Sequence, residues 1–277
     1  MSLYSEHRNH SHKALILRDC KVVCACFASR ALWALGYPDQ AAERMAEGLA
    51  LAEELGQCQS LVMVLLVAAQ LHQLRGEVML AFERARQLLE LADEYGLELW
   101  RALGQFHLGW AEAELGNAQQ GIERMKAGLA TYEAAGAKLW CPHFLGLLAD
   151  GCCKAERPEE GLELIEKALT LADHNGEGYS MPELYRIKGE LILSIKAKGP
   201  PRTLLRARSC FAQALDIAKT QQTRAWALRA NISLAYLESR MGNPSHRRLA
   251  ESYASFTEGY ETSDLKKAKT LLNTASP

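Results

Sequence analysis

The chain repeats itself every forty residues. Four segments of one kind start at Ala41 (AAERMAEGLALAEELG), Ala81 (AFERARQLLELADEYG), Gly121 (GIERMKAGLATYEAAG) and Gly161 (GLELIEKALTLADHNG). Each has glutamate third (Glu43, Glu83, Glu123, Glu163), leucine ninth (Leu49, Leu89, Leu129, Leu169) and a closing glycine (Gly56, Gly96, Gly136, Gly176). A period of this size predicts a stacked solenoid. A solenoid grows without splitting into separate cores. The 277 residues, long enough for two ordinary domains, therefore read as one stack.

Each segment reads as an amphipathic helix. In the first, Met45, Leu49, Ala52 and Leu55 recur at helical spacing, and glycine supplies the left-handed cap after the last turn. Helices of similar length lie between these: Ser60 to Leu74, Leu99 to Leu115 and His143 to Ala155. Their ends carry turn and helix-start residues, such as Pro38-Asp39 and Pro158-Glu159-Glu160. The unit is thus helix A, tight turn, helix B. A fifth B helix (Ala207 to Ala218, with Leu215 as its ladder leucine) follows a Lys-rich loop, Lys196 to Arg202. Its A helix opens with Ser180 and Glu183 spaced as a capping box. A sixth A helix covers Thr223 to Met241, and Thr262-Ser263-Asp264 starts a last, capping helix.

The expected organisation is a frayed N-terminus at 1–12 and a single repeat domain at 13–277. Its units lie near 16–56, 57–96, 97–136, 137–176, 180–222 and 223–260, with the capping helix at 263–275. The expected fold class is all-α: a right-handed superhelical solenoid of about six helix pairs plus that helix.

Composition excludes several functions. No apolar run approaches the roughly 18 residues that span a bilayer, and MSLYSEHRNHSHK has no signal-peptide core. These features predict a cytoplasmic protein with no membrane partner. The eight cysteines sit mostly in helical patterns without a C-x-x-C pair, which suits reduced thiols. A zinc site from Cys20, Cys24 and Cys26 with His7, His10 and His12 fits no standard finger spacing. No metal or other cofactor is expected. There is no G-x-x-x-x-G-K-[ST] phosphate loop, G-x-S-x-G or H-E-x-x-H. A thiol enzyme built on His143 with Cys152 and Cys153 is the weakest reading, because nothing marks either thiol as activated.

Small residues identify the repeat. Leu108-Gly109 is followed by Gly116, Gly121 and Gly128, where helices A, B and the next A must approach closely. This resembles the tetratricopeptide repeat, lengthened from thirty-four to forty residues as in bacterial regulators of the maltose-regulator type. ALWALGYPDQA (31–41), AAQLHQLRGE (68–77), LGWAEAELG (108–116), ELYRIKGELIL (183–193), CFAQALDIA (210–218) and FTEGYETSDLKKAKTLL (256–272) look like one family. It is the C-terminal repeat region of bacterial proteins that join a class III nucleotide cyclase, or a DNA-binding module, to an ATPase domain. The resemblance implies a module that holds a partner and reports it to attached domains. It does not imply the catalytic activities of those other domains.

The resemblance also implies a concave groove lined by the A helices. Its groove-facing offsets fall on Arg30, Gln70, Gln73, Trp110, His143, Asp150, Arg186, Glu190, Arg229 and Tyr236, and also on Trp33, Glu114 and Lys154. Arg186 and Arg229 could grip a carboxylate or phosphate. Trp33, Trp110 and Tyr236 fit packing between repeats equally well. His72 and His107 read as structural histidines. The functional expectation is a non-catalytic scaffold or sensor for a protein, peptide or small effector in bacterial signalling. A homo-oligomer through the solenoid ends or convex face stays open. The alternative is a nucleic-acid or anionic-ligand binder. It rests on Tyr185 to Arg248, which holds 13 Lys/Arg against three acids in a chain of net charge −1. Nucleic acid is disfavoured, because those bases are spread over several helices and a loop.

Overall fold

The computed structural model describes residues 18–195, 201–242 and 246–274. The N-terminal histidines, most of the Lys-rich loop and Asn243-Pro244 lie outside them. The described residues form thirteen helices and no strand. Six pairs follow in order: α1 (Cys20–Leu35) with α2 (Pro38–Leu55), α3 (Cys58–Arg75) with α4 (Val78–Glu94), α5 (Glu98–Glu114) with α6 (Ala118–Ala134), α7 (Cys141–Lys154) with α8 (Pro158–Asn175), α9 (Met181–Ile195) with α10 (Pro201–Thr220), and α11 (Arg224–Arg240) with the short α12 (Arg247–Ala254). Helix α13 (Ser263–Thr274) ends the stack.

Local chemistry sets the boundaries. Asp19 caps α1 through Oδ1, which accepts from the amides of Lys21 and Val22 at 2.9 and 3.3 Å. Its own amide donates to Ser60 Oγ at 2.9 Å, which ties the start of α1 to the start of α3. Proline opens α2 and α8. A finer punctuation than the forty-residue period emerges. Gly36, Gly56, Gly76, Gly96, Gly116, Gly136 and Gly176 all have positive φ, one every twenty residues. The slot between Gly136 and Gly176 is filled by Glu156, at φ 58°. It is a helix end that calls for glycine and does not have it.

Close approach explains other glycines. A Cβ on Gly121 would lie 2.3 Å from the Gly109 carbonyl oxygen, and one on Gly109 would lie 2.6 Å from that of Gly121. Helices α5 and α6 therefore touch backbone to backbone.

The B helices bury one face. The inner A helices are buried more fully, and α3 hides Gln70 and Gln73 along with its leucines, whereas α1 keeps Phe27 and Leu35 exposed. The leucine ladder is uneven. Leu49, Leu129 and Leu169 are buried, whereas Leu89 and Leu215 are only half-buried. In α4 the large Leu88 takes the inner place beside Leu89. Leu215 faces a crevice floored by α11 and edged by Arg248, Glu251 and Ser252 of α12, which is only eight residues long.

The spiral comes round on itself. Trp33 of α1 meets Trp226 of α11 edge to face, with centroids 4.6 Å apart. The segment before α13 then crosses to the first pair. The Glu258 carboxylate accepts from the amides of Asp39 and Gln40 at 2.9 and 3.0 Å and from Gln40 Nε2 at 2.8 Å. The Gly259 amide donates to Asp39 Oδ2 at 2.8 Å, and Phe256 is buried beside Gly36. Glu258 thus acts as a borrowed cap, a carboxylate at the positive end of α2 supplied from 218 residues away.

Candidate functional site

The inner wall holds two polar layers. The deeper one is sealed. Arg30 Nη1 donates to Gln70 Oε1 at 2.5 Å, and Gln70 Nε2 lies 3.5 Å from His107 Nε2. The Arg30 guanidinium stacks 3.8 Å from the Trp140 ring centroid and 4.9 Å from that of Tyr179. Burial, aided by the nearby Arg30 charge, pushes the imidazoles of His107 and His143 down to about 3. Both are neutral at pH 7.

The outer layer is a chain of ion pairs. Arg186 makes a fork with Glu183, Nε at 2.8 Å and Nη2 at 3.0 Å. Arg229 Nη1 reaches the same carboxylate at 3.1 Å, and its Nε donates to Asp264 Oδ2 at 2.7 Å. Burial pushes the Glu183 carboxyl up, but the two arginines overcome it and hold the group down at about 2. Lys154 bridges Glu114 and Asp150. Burial alone would lower this ammonium, but the two carboxylates raise it well above the usual lysine range.

These pairs surround a cavity of about 450 Å³, with walls from α3, α5, α7, α9, α11 and α13. A neighbouring cavity of about 430 Å³ shares Gly76, Tyr236, Ser263 and Lys267 with it.

No protein-family model matches the chain, and no curated protein matches it in sequence. Among solved structures, the apo form of RapI is similar over 92% of this chain and 85% of its own, at 15% identity and a TM-score of 0.58. A signal transduction ATPase with numerous domains from Pyrococcus horikoshii, with a tetratricopeptide repeat sensor, is matched at 17% identity and a TM-score of 0.47. The match covers 92% of this chain but only 36% of that one. The fold is a tetratricopeptide-like helical repeat.

Within that repeat, seven of the ten residues expected to line a groove surround the cavity: Gln73, Trp110, Asp150, Arg186, Glu190, Arg229 and Tyr236. Arg30, Gln70 and His143 do not. They belong to the sealed layer, because the closed spiral brings α1 against Trp140 and Tyr179 at the starts of the fourth and fifth A helices. The two arginines expected to meet a ligand are instead spent on the chain's own carboxylates. Glu183, expected in a capping box with Ser180, turns inward to both of them.

Asp264, Ser263 and Lys267 also line the cavity, beyond the A helices on which the groove-facing offsets fall. Their one signal was the helix start at Thr262-Ser263-Asp264. His107 is a buried core histidine, whereas His72 bonds Glu77 at 2.7 Å in a half-buried pair. Burial pushes the Cys152 and Cys141 thiols up to about 11 and the Cys26 thiol up to about 12. Among the described residues no three metal-ligating side chains come together, and no helix is long and apolar enough to cross a membrane.

Proposed function

We propose that the chain is a non-catalytic sensor or scaffold module, which holds a protein segment, a peptide or a small effector in the 450 Å³ cavity. One observation carries this reading: six helices from distant parts of the sequence direct charged, polar and aromatic side chains at one hollow, with Tyr236 half-exposed at its mouth. Sites between the helices of all-α proteins are a common place for ligands. The resemblance to regulator C-terminal regions suggests bacterial signalling or transcription control, with occupancy passed to attached domains. The eight free thiols suit a reducing, cytoplasmic setting.

A thiol enzyme is disfavoured, because Cys152 is fully buried and protonated at neutral pH. Nucleic-acid binding through the basic segment is disfavoured too. Arg186, Lys188, Arg208, Arg229, Arg247 and Arg248 each lie within 4.0 Å of a carboxylate, which breaks up the basic segment among the described residues.

Photo-crosslinking tests the reading. A benzoylphenylalanine replacing Tyr236 should trap ligand from the source cell, and the same group replacing Glu166 in α8 should not. Equal products from both positions would sink it.

A further inference from the structure

The wall chemistry carries the reading further and reverses one sequence expectation. We propose that the cavity selects a cationic group, a primary ammonium or guanidinium, and not the carboxylate or phosphate that its arginines suggest. This rests on the cavity being the binding site.

Three of the four cationic groups of the wall are already used. Arg229 directs Nε, Nη1 and Nη2 to Asp264, Glu183 and the Leu74 carbonyl at 2.7, 3.1 and 2.6 Å. Arg186 is forked onto Glu183, and Lys154 is held by two carboxylates. An incoming anion would have to break these bonds and strand buried carboxylates, which is costly.

Away from the rim, the unspent groups are acceptors. Gln73 lines the cavity and is 6% exposed, and its buried Oε1 has no hydrogen-bond partner among the described residues. A buried polar atom left unpaired calls for a partner. Glu190 is more open, and its ion pair with Arg186 is a loose 3.6 Å. The cavity lining holds five acids (Glu114, Asp150, Glu183, Glu190, Asp264) against four bases (Lys154, Arg186, Arg229, Lys267). Lys267 is exposed at the rim, where water screens it. Trp110 and Tyr236 add aromatic surface to the same wall, and a cation fits an aromatic-and-carboxylate enclosure well.

Ile187 and Ile232 line the cavity and supply methyl reporters. The full chain would be titrated by methyl NMR with butylguanidinium, butylammonium and butyrate. Either cation should move both methyls saturably, and butyrate should not. Glu190→Gln should weaken the cation about tenfold, the loss of one charged hydrogen bond, with melting unchanged. Gln73→Leu should weaken it as well. A capped arginine pentapeptide and spermidine then separate a basic side chain of a peptide from a free polyamine.

Butyrate moving the methyls while the cations leave them still would overturn the inference and leave the cavity reading standing. So would silence from every cation in a protein whose position 236 does crosslink a ligand. Silence in both experiments would remove the cavity reading as well.

Discussion

Arg229 in α11 donates a hydrogen bond to the main-chain carbonyl of Leu74 in α3 at 2.6 Å, across 155 residues of sequence. This arginine joins the second A helix, the sixth A helix and the capping helix at one point. Its side chain is 13% exposed.

Replacing Arg229 with alanine strands Glu183, Asp264 and the Leu74 carbonyl together. The expected loss is about 3–5 kcal/mol of unfolding free energy, the usual scale for breaking a buried pair. Arg229→Lys should recover only part of it, since one ammonium cannot serve three directions. Chemical denaturation of both variants checks this. Wild-type stability in Arg229→Ala would refute the keystone role.

Acid should loosen the fold before ordinary carboxylates titrate. His107 and His143 are held at about 3 in the folded state, below their ordinary 6.5. As pH falls below 6.5 the unfolded chain gains protons that the folded chain refuses, and stability drops. By pH 5 each histidine removes about 2 kcal/mol. Glu183, held at about 2 from an ordinary 4.5, adds a further loss below pH 4.5 that continues to about pH 2. The urea midpoint should therefore fall between pH 7 and pH 5, and fall less in His143→Leu. A flat wild-type profile over that range would contradict the burial of these rings.

Glu156 holds a left-handed turn at φ 58° where every neighbouring helix end of its register has glycine. Glu156→Gly should stabilise the chain by about 0.5–1 kcal/mol, the relief of strain less the added freedom of the unfolded glycine. Gly136→Ala should destabilise it, by a similar or larger amount. A difference scan of melting temperatures reads both.

The Gly109 and Gly121 contact leaves no room for a methyl group. Gly121→Ala forces α5 and α6 apart against a carbonyl 2.3 Å away, and a loss of about 1–3 kcal/mol is expected. Unchanged stability would mean that the pair relaxes freely.

The clasp can be tested at Glu258. Glu258→Gln keeps the shape but removes the charge at the α2 N-terminus, and Glu258→Ala removes both. Amide exchange at Asp39 and Gln40, whose protons Glu258 accepts, should quicken in both variants and most in the second.

The sequence showed the fold through its period, because a forty-residue repeat of helix pairs has few ways to bury itself. It showed most of the cavity wall as well, since Gln73, Trp110, Asp150 and Tyr236 are odd residues for an apolar helix face. It did not show how those side chains pair. Arg186 and Glu183 are three apart on one helix, yet Glu183 fits a capping box equally well in sequence. Only the return of α11 and α13 decides between the two roles. Arg30 looked like a groove residue for the same reason. Closure of the spiral, which buries it under Trp140 and Tyr179, depends on long-range contacts that a repeat pattern does not encode.

An open stack of repeats can straighten or coil with little resistance, since each unit touches only its neighbours. Here the Trp33–Trp226 contact and the Glu258 clasp turn the stack into a hoop. A guest that wedges two helices apart on one side must strain the join on the other. That join is where the presence of cargo would be felt at a distance.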